Sequence, residues 1–291
     1  MAEPTAPGAP ARAGEPTPTT IDSLIARYDV LLFDAYGVLV SHSGALPGAR
    51  EALDAIDAAG KRFFVVTNDA SKLPATAAAR YRAFGLPVTA DHMITSGMLL
   101  ADAGLAGAAC MVLGTPDTVE YVRAAGGVPV PPAEDGRYDA VIVGDDAGYP
   151  FLDTLDVALT ALYRHIDRGD PVRLLLPNPD LVYPKGPDRW GFTAGGAAML
   201  IEAALARRFP RRAPRFERLG KPNTPLFDLA RRRAGTDAIV MIGDQLETDI
   251  AGARAAGIDA ALLATGVSRW ADRGDDAPRP TYLLATIAAA K

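Results

Sequence analysis

Val30–Phe33 is a run of apolar residues with no polar alternation, stopped by Asp34 and resumed after Gly37 at Val38–Val40. Such a run suits a strand covered on both faces, as in a parallel sheet flanked by helices. The same pattern recurs at Arg62–Val66, Ala140–Val143 and Ala238–Ile242, and each run ends in polar residues. Shorter strands are predicted at Met93–Thr95, Cys110–Leu113 and Arg173–Leu176. Helical patterns fall between them at Ala49–Ala59, Pro74–Phe84, Gly97–Ala103, Thr115–Ala125, Leu152–Arg168 and Thr224–Arg233. The first two are closed by Gly60 and Gly85, the glycine stop expected after a helix. Strands alternating with helices predict an α/β protein with a doubly wound parallel sheet. The pattern shifts near Leu105, which predicts an inserted α/β domain over 105–213 and a core domain assembled from 21–104 and 214–291. Residues 1–20, rich in Ala, Pro, Gly and Thr, are expected to form a disordered tail.

Composition narrows the partners. A chain of 291 residues, 49% hydrophobic and 22% charged, can bury a full core. Its 30 Lys and Arg against 35 Asp and Glu give a net charge of −5, with no basic stripe, which argues against nucleic acid or an anionic membrane as the main partner. Cys110 is the single cysteine and sits in an apolar run, so no intrachain disulfide can form and a reducing compartment is expected. No segment has the apolar core of a signal peptide or the roughly 18 apolar residues of a membrane span, so a cytoplasmic location is expected.

The candidate chemistry lies where the strands end. In open α/β sheets ligands bind in the crevice outside the carboxyl ends of the strands. Asp34 stands at one such end, and Thr67-Asn68-Asp69-Ala70-Ser71-Lys72 at another, where a hydroxyl and backbone amides could cradle a phosphate. Gly243-Asp244 follows a third strand, with Asp249 five residues on, a hard-oxygen pair that suits Mg²⁺. Lys221, a compact point charge, could hold a carboxylate and a phosphate together. Each element alone has a plainer reading. Asp34 could merely turn the chain, Thr67 could cap a helix, and a cap with a first-turn acid explains one of Asp244 and Asp249 well but both poorly.

Val141–Asp146 repeats the apolar-then-Gly-Asp pattern without a second acid five residues on and reads as a turn. His42, His92 and His165 lack metal-ligand spacing, and Arg207-Arg208 with Arg211-Arg212 reads as a solvated helix end.

Taken in order, Asp34-Ala35-Tyr36-Gly37-Val38, Thr67-Asn68, Lys221-Pro222 and Gly243-Asp244 with Asp249 resemble the four motifs of the haloacid dehalogenase-like hydrolase superfamily. An insertion between the second and third, with Asn178-Pro179-Asp180 near its end, is similar to the class IIA branch, which carries a C2 cap. The resemblance implies a Rossmann-like core with an α/β cap, and a phosphatase acting on a small phosphorylated metabolite through an aspartyl-phosphate. It assigns the nucleophile to Asp34 and places Mg²⁺ on Asp34, Asp244 and the backbone carbonyl of Tyr36. Thr67, Asn68 and Asp69 would bind the phosphoryl group and Lys221 would offset charge. Asp249 would orient Lys221 or a metal-bound water. Asn178, Asp180, Lys185 and Arg189 would lie on a specificity loop of the cap, which could also support a homodimer.

One departure changes the expected chemistry. Two residues after the nucleophile, the family's phosphatases carry a second Asp that protonates the leaving group, whereas this chain has Tyr36. A phenol is a poor acid near neutrality, and losing a positioned general acid costs about 10²- to 10⁴-fold. Alkyl phosphates should therefore turn over slowly, while leaving groups that need no proton, such as acyl phosphates or nitrophenolate, should suffer less. The Asp34-Ala35-Tyr36-Gly37 string also resembles 2-haloacid dehalogenases, but their chemistry needs no Mg²⁺ and their insertion follows the first motif. A catalytically impaired phospholigand-binding protein is the third reading, motivated by Tyr36 and opposed by Asp34, Lys221 and Asp244.

Overall fold

Apolar strands without alternation need cover on both faces, and this chain supplies it by folding helices over two separate parallel sheets. The computed structural model describes residues 15–186 and 188–288. The chain opens with β1 (Thr17–Thr19), α1 (Ile21–Arg27), β2 (Val30–Phe33), α2 (Ala49–Ala58), β3 (Arg62–Thr67), α3 (Pro74–Ala83) and β4 (Met93–Thr95). A second unit follows with β5 (Ala109–Leu113), α4 (Pro116–Ala124), β6 (Val128–Val130), β7 (Ala140–Val143), α5 (Phe151–Arg168) and β8 (Arg173–Leu176). A hairpin of β9 (Val182–Gly186) and β10 (Arg189–Phe192) leads into α6 (Ala194–Arg208) and β11 (Glu217–Arg218). The chain then returns through α7 (Pro225–Ala234), β12 (Ile239–Gly243), α8 (Ala251–Ala255), β13 (Asp259–Leu263) and β14 (Tyr282–Leu284).

The first sheet has the order β1-β14-β13-β12-β2-β3-β4 and is parallel throughout. Register aligns Ile242 with Phe33 and Phe33 with Val65, so Asp34, Thr67 and Asp244 emerge at the same edge. Residues of β2 alternate between two cores: Leu31 and Phe33 pack with Leu53 and Ile56, while Val30 and Leu32 pack with Phe227 and Ile250. All four β2 residues are fully buried, which explains the absence of polar alternation. The second core runs on through Tyr121, Ile142 and the buried Cys110, so it cements the second sheet, β11-β8-β7-β5-β6, to the first.

Several expectations need correction. The part of the predicted tail on residues 1–14 lies outside the described residues, but Thr17–Thr19 pair in parallel with Tyr282–Leu284, and Thr20 caps α1 by accepting from the Ser23 amide. Pro18 is tolerated because β1 is an edge strand, and composition cannot reveal that β14 offers it a free edge. The second sheet extends beyond residue 213, because Glu217–Arg218 pairs with β8. Ser96–Asp102 is a 3₁₀ helix, with Gly97 so close to the Tyr121 ring that an added Cβ would meet it at 2.4 Å. The loop expected around Lys185 and Arg189 is an antiparallel hairpin.

Candidate active site

The carboxyl edge of the first sheet forms one wall of a cavity of about 690 Å³, and loops of the second unit form the other. Asp34, Thr67, Asn68, Asp69 and Lys221 line it from the core, Asn178 and Asp180 from the second unit.

At its floor is a buried charge cluster. Lys221 Nζ donates to Asp34 Oδ1 at 2.5 Å, to Asp249 Oδ1 at 2.7 Å and to the Val66 carbonyl at 3.1 Å. All three ammonium donors therefore have an acceptor. Asp249 spends its second oxygen on the backbone amides of Asp244 and Gln245, both at 3.2 Å. It is thus a bracket that ties Lys221 to the loop after β12. Gly243 makes this approach possible, since a Cβ there would fall 2.2 Å from the Asp249 Cβ.

Asp244 is fully buried; its Oδ2 accepts from the Val267 amide at 3.0 Å, whereas its Oδ1 has no hydrogen-bond partner. Burial pushes the Asp34 carboxyl up to about 7, with Lys221 opposing and Asp249 adding to the rise. Burial, then Asp34 and Asp249, pushes Asp244 up to about 8. For Lys221, burial acts to lower the pKa, but Asp249 and Asp34 outweigh it and hold the ammonium charged.

This donor set fits a divalent cation. Asp34, Asp244 and Asp249 each present an oxygen within 4.8 Å of the others. Three carboxylates against one ammonium leave a formal charge of −2 on buried side chains, which a dication would neutralise. Asp249 has both oxygens engaged, so Asp34 and the unpartnered oxygen of Asp244 are the free ligands. No described group donates to the Tyr36 carbonyl, leaving it able to join them.

The second polar cluster is divided in its duties. Thr67 Oγ1 accepts from the Asp69 amide at 3.2 Å, and the Asp69 carboxylate accepts from the Ser71 amide and hydroxyl at 2.7 and 2.6 Å. Asn68 braces the site across the two units. Its Oδ1 accepts from the Lys221 amide at 2.7 Å, and its Nδ2 donates to the Lys221 carbonyl at 3.0 Å and to Asp180 Oδ1 at 2.9 Å. Burial raises the Asp180 pKa. Asn178 Oδ1 accepts from the Asp180 amide at 3.1 Å and so shapes the loop that brings Asp180 in.

The loop after β3 is held from the second unit by α4. Thr118 Oγ1 donates to the Ala70 carbonyl at 3.0 Å and Tyr121 OH to the Lys72 carbonyl at 2.7 Å.

Sequence reasoning missed several residues of the cavity wall. Arg80, His42, Asp145 and Asp146 line it, and so does Tyr183 beside Lys185; Arg189 is exposed on β10. Burial, reinforced by a hydrogen bond with Asp146, pushes Asp145 up to about 7. The Gly-Asp pattern at Gly144-Asp145 was a usable signal for that residue. Nothing local distinguishes Arg80 from the other arginines of helix ends.

Two family models match the two ends of the chain: haloacid dehalogenase-like hydrolase over residues 31–127, which reaches into the second unit, and a related HAD hydrolase-like model over residues 218–290. Human glycerol-3-phosphate phosphatase is 31% identical over 302 aligned positions, covering 94% of this chain and 90% of that protein. The chain therefore belongs to the haloacid dehalogenase-like hydrolases, and it is an enzyme of their α/β type. Among solved structures, a possible sugar phosphatase from Cytophaga hutchinsonii superposes with a TM-score of 0.79 at 29% identity, covering 95% of this chain and 100% of that one. Glycerol phosphate phosphatase from Mycobacterium tuberculosis, in complex with magnesium, gives a TM-score of 0.76 at 27% identity, covering 91% and 76%.

Proposed function

We propose that this hydrolase is a Mg²⁺-dependent phosphatase of a small phosphorylated metabolite. The observation that carries the reading is the pairing of Asp34 with Lys221, backed by Asp249, beside an Asp244 oxygen that lacks a partner. Relatives named as phosphatases of glycerol phosphates support the substrate class.

In this reading Asp34 attacks phosphorus and becomes an aspartyl-phosphate, which water then hydrolyses to restore the carboxylate. Lys221 favours the ionised form of Asp34 against the effect of burial and aims its carboxylate, and Asp249 fixes Lys221. Thr67 with the Asn68 amide receives the phosphoryl oxygens, while the Asn68 side chain holds the Lys221 backbone in place. Asp69 orders its own loop, and Asp180 with Asn178 closes the cavity from the second unit, which acts as a cap selecting the substrate. Asp34, Asp244 and the Tyr36 carbonyl would hold Mg²⁺, whose charge would offset that of the phosphoryl oxygens. Tyr36 supplies no carboxylic acid to protonate an alkoxide.

The test is phosphate release from p-nitrophenyl phosphate, acetyl phosphate and a panel of phosphorylated metabolites, with Mg²⁺ and with EDTA. Metal-dependent release that disappears in Asp34→Asn is the expected result. Silence across the panel together with metal-independent chloride release from 2-chloropropionate would replace this reading with dehalogenation.

A further inference from the structure

We propose, resting on the phosphatase reading above, that the site serves phosphoryl donors whose leaving group departs as a carboxylate, the acyl phosphates, and that Arg80 receives that carboxylate. Arg80 projects from α3 into the cavity that Asp34 and Tyr36 also line. Its guanidinium lies 5.2 Å from the centroid of the Tyr36 ring and 5.5 Å from that of Phe84. The guanidinium makes no hydrogen bond or ion pair with another described residue. Of the other cavity lysines, Lys221 is held by Asp34 and Asp249 and Lys72 by Asp69 at 3.5 Å, while Lys185 sits on the second-unit wall over the Tyr183 ring, away from residue 36 in the chain. Arg80 is thus fixed by stacking on ring faces, which leaves its planar fork of donors unspent.

The position of this charge is what gives it a role. Residue 36 follows the nucleophile by two, where the resemblance to related phosphatases expects a carboxylic acid. A carboxylate at 36 would lie next to the guanidinium and neutralise it. Tyr36 instead offers an apolar face, so one substitution removes the proton donor and frees a cation beside the same spot. That exchange disfavours an alkoxide, which needs a proton, and favours a carboxylate, which an arginine binds through two parallel hydrogen bonds.

The steps balance without an added acid or base. Asp34 Oδ forms a bond to phosphorus, and the bond from phosphorus to the acyl oxygen breaks with its electron pair staying on the departing carboxylate. Water then attacks the aspartyl-phosphate, restoring the Asp34 carboxylate and leaving both its protons on inorganic phosphate.

The experiment compares kcat/KM for acetyl phosphate, glycerol 3-phosphate and 2-phosphoglycolate with Mg²⁺, in the wild type and in Arg80→Gln, Arg80→Lys and Tyr36→Asp. The wild type should prefer acetyl phosphate over glycerol 3-phosphate by about 10²-fold or more. Arg80→Gln should cut acetyl phosphate turnover by about 10²-fold and glycerol 3-phosphate turnover far less, with Arg80→Lys recovering part. Tyr36→Asp should raise glycerol 3-phosphate turnover and narrow the preference. A wild-type preference for glycerol 3-phosphate, or equal losses on both substrates in an Arg80→Gln protein with unchanged thermal unfolding, would overturn the proposal. Preference for 2-phosphoglycolate would also overturn it, since Arg80 would then read a carboxylate remote from the scissile bond. Failure of the phosphatase reading looks different: no substrate releases phosphate above the Asp34→Asn background.

Discussion

Lys221 and Gly37 show how single residues hold this site in tension. Among the described residues Lys221 is the only cation paired with Asp34 and Asp249, and breaking a buried pair by removing one partner typically costs about 3–5 kcal/mol. Lys221→Met should therefore lose stability of that order in urea denaturation without Mg²⁺, and Mg²⁺ should restore part of it by replacing the missing positive charge. Unchanged stability would mean that the carboxylates already share protons. Gly37 has φ of 86°, and a Cβ there would stand 2.1 Å from Asp244 Oδ2. Gly37→Ala should displace that carboxylate and weaken Mg²⁺ binding, measured by calorimetry, by about tenfold, or 1.4 kcal/mol. Asp34 and Asp244 were legible because they follow strand ends, and Lys221 because it precedes a helix in the order the family resemblance implies. Arg80 was not, because its importance comes from a contact with Tyr36 on another element.

Helix α4 acts on the site without touching its chemistry. Tyr121 OH bonds the Lys72 carbonyl at 2.7 Å and Thr95 Oγ1 at 2.5 Å, linking the loop after β3 to β4. Tyr121→Phe should cost about 0.5–1.5 kcal/mol, speed amide exchange over 69–73, and raise KM more than it lowers kcat. On α5, the buried His165 accepts from the Tyr138 amide through Nε2 at 3.2 Å, while its Nδ1 has no partner. Burial lowers its pKa, with Arg168 adding to the effect. The folded state therefore binds this proton less readily than the unfolded state does. The stabilising contribution of the neutral ring is present above about pH 6.5 and is lost as pH falls below it, by at most about 1.4 kcal/mol per pH unit. In His165→Phe the fall in stability between pH 7 and pH 5 should be shallower; an unchanged slope would show that other groups account for it.

At the scale of the molecule, the hairpin of β9 and β10 leaves Trp190 and Phe192 62% and 64% exposed, and Leu200 on α6 is 55% exposed. The expected homodimer, formed through the second unit, would use an exposed apolar face of this kind. The wild type is expected to run as a dimer and Trp190→Glu as a monomer in light scattering at micromolar protein, and a wild type that is already monomeric would remove the idea. The core shared by both sheets, running from Leu32 through Phe227 to Tyr121 and Ile142, makes the second unit a packed wall of the cavity and not a tethered appendage. No helix among the described residues is long and apolar enough to cross a membrane.

The sequence by itself determined the parallel α/β core and the strand ends that carry Asp34, Thr67 and Asp244. These follow from local pattern: burial on both faces writes unbroken apolar runs, and the residue after each run meets the crevice. Only the tertiary structure decided that Asn68 grips Asp180 across the two units, that β1 finds a free edge on β14, and that Arg80 stacks unpaired over Tyr36. Those are contacts between residues 44 to 265 positions apart, as in Tyr36 against Arg80 and Thr17 against Tyr282, and no periodicity along a chain records which distant surfaces will meet.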